Sequence, residues 1–189
     1  MRLHQRGMGP IVTGILLALA GNSFADHHAE DLIKQAMSAA PASVSANATI
    51  MNNDGTILRE GSNGWTCLPH TMPGDNAPMC NDALWMKMMQ AVGSKADFTA
   101  DGIGISYMLQ GDVGAGVSNA TPHHPDHKNA EDYTETGPHL MIIVPKAMLQ
   151  GITSDPSSGG PYVMWGDTPY AHIMVPVALE GKGVVTKGM

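Results

Sequence analysis

Basic residues are scarce in this chain: ten Lys and Arg stand against 17 Asp and Glu in 189 residues. A surface of that sign repels nucleic acid and anionic lipid, so neither is expected as a partner, and a cation or a neutral small molecule fits better. Long apolar runs are also missing. The longest, residues 11–20, falls well short of the ~20 residues that a membrane span requires, and every later one is broken by Gly, Pro or charge. There is no G-x-S-x-G elbow, Walker loop, H-E-x-x-H or C-x-x-C-H haem site, so the common hydrolase, nucleotide and zinc-protease motifs are absent. The glycine pattern "GDVGAG" is a poor phosphate cradle in so acidic a chain. Asp54 and Asp155 sit in turns that aspartate favours in any case.

Cysteine is nearly absent, with Cys67 and Cys80 only, both in "TCLPHTMPGDNAPMCND". In an oxidising compartment these two most simply form a disulfide, the alternatives being zinc ligation or a reactive thiol. The compartment is set by the first 25 residues. Arg2 and Arg6 precede the apolar stretch, and Ser23 and Ala25 lie where signal peptidase needs small residues. A secretory signal over 1–25 places the mature chain in the periplasm or outside the cell. Removing it takes away two arginines and no acids, leaving eight basic and 17 acidic residues, a net charge of −9. What remains is one domain over 26–179, without a linker, and a polar, Gly-rich flexible tail over 180–189 that is expected to fray. Nothing in the sequence sets the oligomeric state.

Periodicity predicts an α+β fold, a single antiparallel or mixed sheet with two packed helices. Leu32, Ile33, Ala36 and Met37 lie at helical spacing after Asp26, with acids in the first turn and Pro41 as the stop. Residues 48–69 read as a three-stranded meander, its turns at Asp54-Gly55 and Asn63-Gly64. "NDALWMKMMQAVG" gives a second helix capped by Asn81 or Asp82 and stopped at Gly93; its Trp85 and methionines read as core filling. "GIGISYMLQ" is a strand, 111–137 a long polar tract, and three further strands follow at 139–144, "PYVMW" and "AHIMVPV", with a helical turn at "KAMLQG".

Two of those strands echo one another. "PHLMIIVP" and "AHIMVPV" each set one histidine at the mouth of an apolar run, and strand alternation puts His139 with Met141 and His172 with Met174 on one face. Apolar character on both faces is the pattern of doubly covered inner strands. If the two strands are neighbours, imidazoles and thioethers converge, a donor set that suits copper, Cu(I) especially. On the alternative reading each histidine bonds a backbone carbonyl at the sheet edge and its methionine fills the core.

The tract "TPHHPDHKNAEDYTETGPH" supplies a second candidate set for zinc or copper, His123, His124 and His127 with Asp126, Glu131 and Asp132. Pro122 and Pro125 rule out a regular helix there, and a solvated acidic loop is the alternative. A third set depends on processing. Cleavage after Ala25 leaves Asp26-His27-His28, and a free amine with His28 at the third position can wrap Cu(II) or Ni(II); otherwise these residues simply begin the helix.

The motifs "NGWTCLP", "MCNDALW", "YMLQGD", "TGPHLMIIVP", "GGPYVMW" and "TPYAHIMVP" together resemble a family of small secreted bacterial proteins to which no activity, ligand or catalytic residue is attached. The resemblance spans nearly all of the mature chain. It implies a secreted single domain and transfers no functional residue. Three functions are therefore weighed: an exported binding protein for copper, zinc or a small neutral ligand; a small exported hydrolase or lyase with His139 or His172 as general base beside a loop carboxylate; and an interaction module without a site.

Overall fold

The computed structural model describes residues 21–72 and 75–177 and the short strand 185–186; the expected leader as far as residue 20, and the expected tail at 180–184 and 187–189, lie outside the described residues. The fold is α+β, but the sheet is larger than the patterning suggests. Eight strands form one mixed sheet and three a smaller one, with three helices around them. No helix among the described residues is long and apolar enough to cross a membrane.

Helix α1, Gly21–Met37, starts five residues before Asp26, so the acids expected in its first turn lie further along it. It leads through the short α2, Ala42–Ser45, to β1, Thr49–Met51, and β2, Ile57–Arg59, which pair as the hairpin that Asp54-Gly55 predicts. The predicted meander ends there. Strand β3, Thr66–Leu68, lies on the other side of β1 and runs parallel to it, so the chain must cross over the start of β1. The crossing is made at Gly61, where an added Cβ would lie 2.1 Å from the Thr49 backbone nitrogen and 2.3 Å from the Ala48 carbonyl carbon. Asn63 serves this crossing: its side chain donates to the Val44 carbonyl and accepts from the Trp65 N–H.

Strand β4, Met79–Asn81, pairs antiparallel with β3 out of a segment whose prolines read as irregular. Its register sets Cys67 directly opposite Cys80, and the two form a disulfide buried under Ala36 and Ile50 on the α1 side of the sheet. The C67S/C80S variant is expected to lose about 3 kcal/mol, the size for a loop of this length. Urea unfolding compared with the wild type under oxidising conditions checks it, and a midpoint that does not move would show the bond to be dispensable.

Asp82 caps helix α3, Ala83–Ser94, by accepting from the Trp85 N–H at 2.9 Å. The helix runs past Gly93, and the left-handed residue that ends it is Lys95. After β5, Gly104–Met108, come β6, Val117–Ser118, β7, Tyr133–Glu135, β8, His139–Ile143, β9, Tyr162–Met164, and β10, His172–Pro176; β11, Val185–Thr186, pairs with β7. The large sheet is ordered β2-β1-β3-β4-β5-β8-β10-β9, and β6, β7 and β11 form the small one. Thus the tract at 111–137, read as a loop, carries two strands of its own. Helices α1 and α3 cover opposite faces: α1 packs over β1–β4, while α3 buries Trp85 and Met88 with Met79, Met108, Met141 and Met174. The α3 face of β8 is fully buried, whereas Leu140 and Ile142 on its other face are half-buried, so the expected double cover is complete on one side only.

Candidate metal-binding chamber

The two echoing strands are antiparallel neighbours, with Met141 opposite Met174 and His139 opposite Pro176. Their outer neighbours extend the pattern: Met108 of β5 stands opposite His139, and Met164 of β9 opposite His172. All six side chains line one cavity on the α3 face of the sheet. Across four strands they form a pseudo-twofold array around the Met141–Met174 pair, each end having one imidazole with a thioether opposite it. Antiparallel pairing of two H-x-M segments produces such an array, because inverting one strand sends the histidines to opposite ends and leaves the methionines facing each other. Four residues separate His172 from Pro176, so the two histidine backbones lie about 13 Å apart along the strands. Neighbouring strands are expected to bring both imidazoles together; instead antiparallel pairing keeps them apart, and each stands opposite a methionine, Met108 or Met164.

Both imidazoles are buried, at 0% and 1% exposure. His139 Nδ1 lies 2.7 Å from the Gly137 carbonyl, and His172 Nδ1 lies 2.9 Å from the Tyr170 carbonyl. A carbonyl can only accept, so Nδ1 carries the proton in both rings and Nε2 presents a lone pair. Neither Nε2 has a partner; they account for two of the three unpartnered buried side-chain nitrogen or oxygen atoms among the described residues. Burial holds both rings well below the usual imidazole range, at about 4, so they are neutral at any ordinary pH. The carbonyl bond on one nitrogen with an open lone pair on the other is the arrangement that orients metal-bound histidine.

The cavity has a volume of about 70 Å³ and is walled mainly by methionine, tryptophan and histidine side chains. Six methionines line it, Met79 and Met89 completing the set. Trp85 and Trp165 stand edge-on to the His172 ring, with centroids 5.1 and 5.0 Å away. Each indole is fixed from outside: Trp85 Nε1 donates to the Met141 carbonyl, and Trp165 Nε1 to the Ser118 carbonyl. Trp165 also adopts a left-handed backbone, φ 57°, which is strained for so bulky a residue; its N–H donates to the Asn119 carbonyl and its carbonyl accepts from the Thr168 N–H. Apart from the two Nε2 atoms, Asp112 and Thr71 are the polar residues of an otherwise apolar lining. The volume is far below that of a pocket for an ordinary organic ligand.

One carboxyl reaches the cavity, Asp112, which accepts from the Thr136 N–H while its own N–H donates to the Thr136 carbonyl. Burial, helped by the nearby Glu135 and Asp75, pushes its carboxyl up to about 8. The signs of these effects differ. Each histidine has a folded pKa below its unfolded 6.5, so its contribution to stability is present above that value and is lost as pH falls towards 4. Asp112 is raised above its unfolded 3.8, so its contribution is fully present below that value and is lost progressively as pH rises from there to 8. The metal-free protein is therefore expected to be most stable near pH 6.5, falling off on both sides. In D112N the decline above pH 6.5 should vanish while the acid limb steepens. Urea midpoints measured from pH 4 to 9 check this, and a wild-type profile flat from 6.5 to 8 would refute it.

The other candidates are not gathered here. His127 Nδ1 accepts from the Ser118 N–H at 3.1 Å. His124 Nδ1 accepts from the Asp126 N–H, and the exposed His123 stacks edge-on against Tyr170. The Asp132 carboxylate accepts from the Ser118 hydroxyl and the Ala120 N–H. These groups organise the tract's own backbone. Among the described residues no three His, Cys, Asp or Glu side chains are grouped so as to hold a metal ion. His28 is exposed on α1, whose backbone is helical on both sides of the expected cleavage point. Met108, Met164, Trp85 and Trp165 escaped the sequence reading because register and layer, set by the tertiary fold, bring them together; the fifteen methionines were the available signal. Comparisons with protein-family models, curated proteins and solved structures found no match.

Proposed function

We propose that this is an exported, periplasmic or secreted, copper-binding protein that holds Cu(I) between imidazole and thioether in the chamber under α3. The observation that carries the reading is the pair of buried, unpartnered Nε2 atoms on rings that line one cavity with six methionines. An unpaired buried acceptor costs about 1–3 kcal/mol, so two of them at related positions call for a ligand that accepts electron pairs. Soft thioethers favour Cu(I), whereas zinc finds here no thiolate and no third imidazole, and the one carboxyl, Asp112, is held in its neutral form by burial. A monocation is also the charge that an almost uncharged chamber can best accommodate. The disulfide fits an oxidising compartment.

The reading as an enzyme with a histidine base requires an imidazole bonded to a carboxylate and away from sulfur. Both rings are bonded to backbone carbonyls and share their cavity with six methionines. The test is copper-edge X-ray absorption on the protein loaded with Cu(I) under anaerobic conditions. Imidazole nitrogen and thioether sulfur in one coordination shell is the expected result. A shell of nitrogen and oxygen only would overturn the assignment.

A further inference from the structure

Beside α3, the strap 111–117 walls the chamber through Asp112, Ala115 and Val117, and a second groove of about 420 Å³ lies on the strap's outer side. Ala115 and Val117 line both spaces, so the wall between them is one residue thick. On the facing side Thr71 lines the chamber and its neighbour Met72 lines the groove, half-exposed, with a thioether at the rim. Resting on the proposed copper site, we infer that the ion reaches the chamber from this groove by displacement of the strap, with Met72 as the first sulfur it meets.

The strap is built to move between fixed ends. Gly111 and Gly116 are clamped: a Cβ at Gly111 would lie 2.9 Å from the Gly137 carbonyl carbon, and one at Gly116 2.5 Å from the Thr134 carbonyl oxygen. Gly114, by contrast, has a positive φ of 81° with open space around it. The middle is fastened to β7 and the residue after it by few bonds, chiefly those between Asp112 and Thr136 and that from the Gly114 N–H to Glu135 Oε1 at 3.1 Å. The Glu135 bond is on the solvent side, where it can be broken without opening the core. Sequence composition alone marks "GDVGAG" as glycine-rich; its glycines serve two close approaches and one turn.

The test compares transfer of Cu(I) from its coloured bicinchoninate chelate to wild-type, E135A and M72L protein. E135A removes the acceptor of both the Gly114 N–H and the Tyr133 hydroxyl, and losing the strap's bond to this charged group is expected to raise the transfer rate about tenfold with the final partition unchanged. M72L should slow transfer several-fold at the same final partition. Rates equal to wild type in both variants would overturn the route while leaving the site intact. A copper-independent arm follows acrylamide quenching of Trp85 and Trp165 in a W65F background. E135A should increase quenching, and unchanged quenching overturns the strap as the opening. Failure of the wild type to take copper strikes the site itself, and the quenching arm then decides the strap alone.

Discussion

Replacing both His139 and His172 by glutamine is expected to abolish Cu(I) binding while the chain still folds. Removing even an outer partner of a metal ligand lowers affinity by about 10–100-fold, so loss of a ligand itself should cost at least about a hundredfold at each end. Folding should survive, because glutamine can still donate to the Gly137 or Tyr170 carbonyl and is close to imidazole in size. If the histidines merely fill the core, the double substitution will lower the melting temperature and leave copper uptake as it was. Competition against a Cu(I) chelator, with melting curves alongside, separates the two outcomes. The single variants add a second distinction. Since each ring stands opposite a methionine and not its counterpart, H139Q and H172Q should each weaken rather than eliminate binding.

Gly61→Ala should be among the most damaging single substitutions in the protein. The added methyl would meet backbone of the residues leading into β1, and no side-chain rotation relieves a contact of 2.1 Å with the Thr49 nitrogen. Either the crossover shifts, breaking the parallel β1–β3 pairing, or β1 moves and uncouples the β2 hairpin. Losses of roughly 4 kcal/mol or more are confined to such clashes and comparable core defects, and this substitution is expected to reach that range. A urea midpoint close to the wild type would mean that the crossing is looser than its geometry indicates. Gly64, two residues past the neighbouring Ser62, is the control: it has open space, and although its positive φ of 79° penalises a side chain, the loss there should be far smaller.

These two sites show where sequence reasoning reaches and where it stops. Period-two alternation correctly groups His139 with Met141 and His172 with Met174, since that follows from the geometry of a single strand. Helix α3 is legible for the same local reason, its cap Asp82 and apolar stripe lying within one segment. Asp54-Gly55 makes its hairpin, but Asn63-Gly64, with equally good turn chemistry, belongs to a crossover. The difference lies in Gly61, whose neighbours are distant in the turn but adjacent in space. The chamber has the same character. Met108 and Met164 lie in unremarkable segments and become candidate ligands because the order β5-β8-β10-β9 places them opposite the two histidines. The histidine-rich tract misleads for the opposite reason: its donors are close in sequence, but backbone N–H groups of the same tract engage them first.

The paired His-Met strands are proposed to hold Cu(I). Native mass spectrometry tests it most directly, on the mature chain offered Cu(I) and Zn(II) together without oxygen, beside the H139Q/H172Q variant. The wild type should retain copper stoichiometrically in preference to zinc, and the variant should retain none. Wild-type protein free of copper, or a variant that keeps it, would contradict the claim.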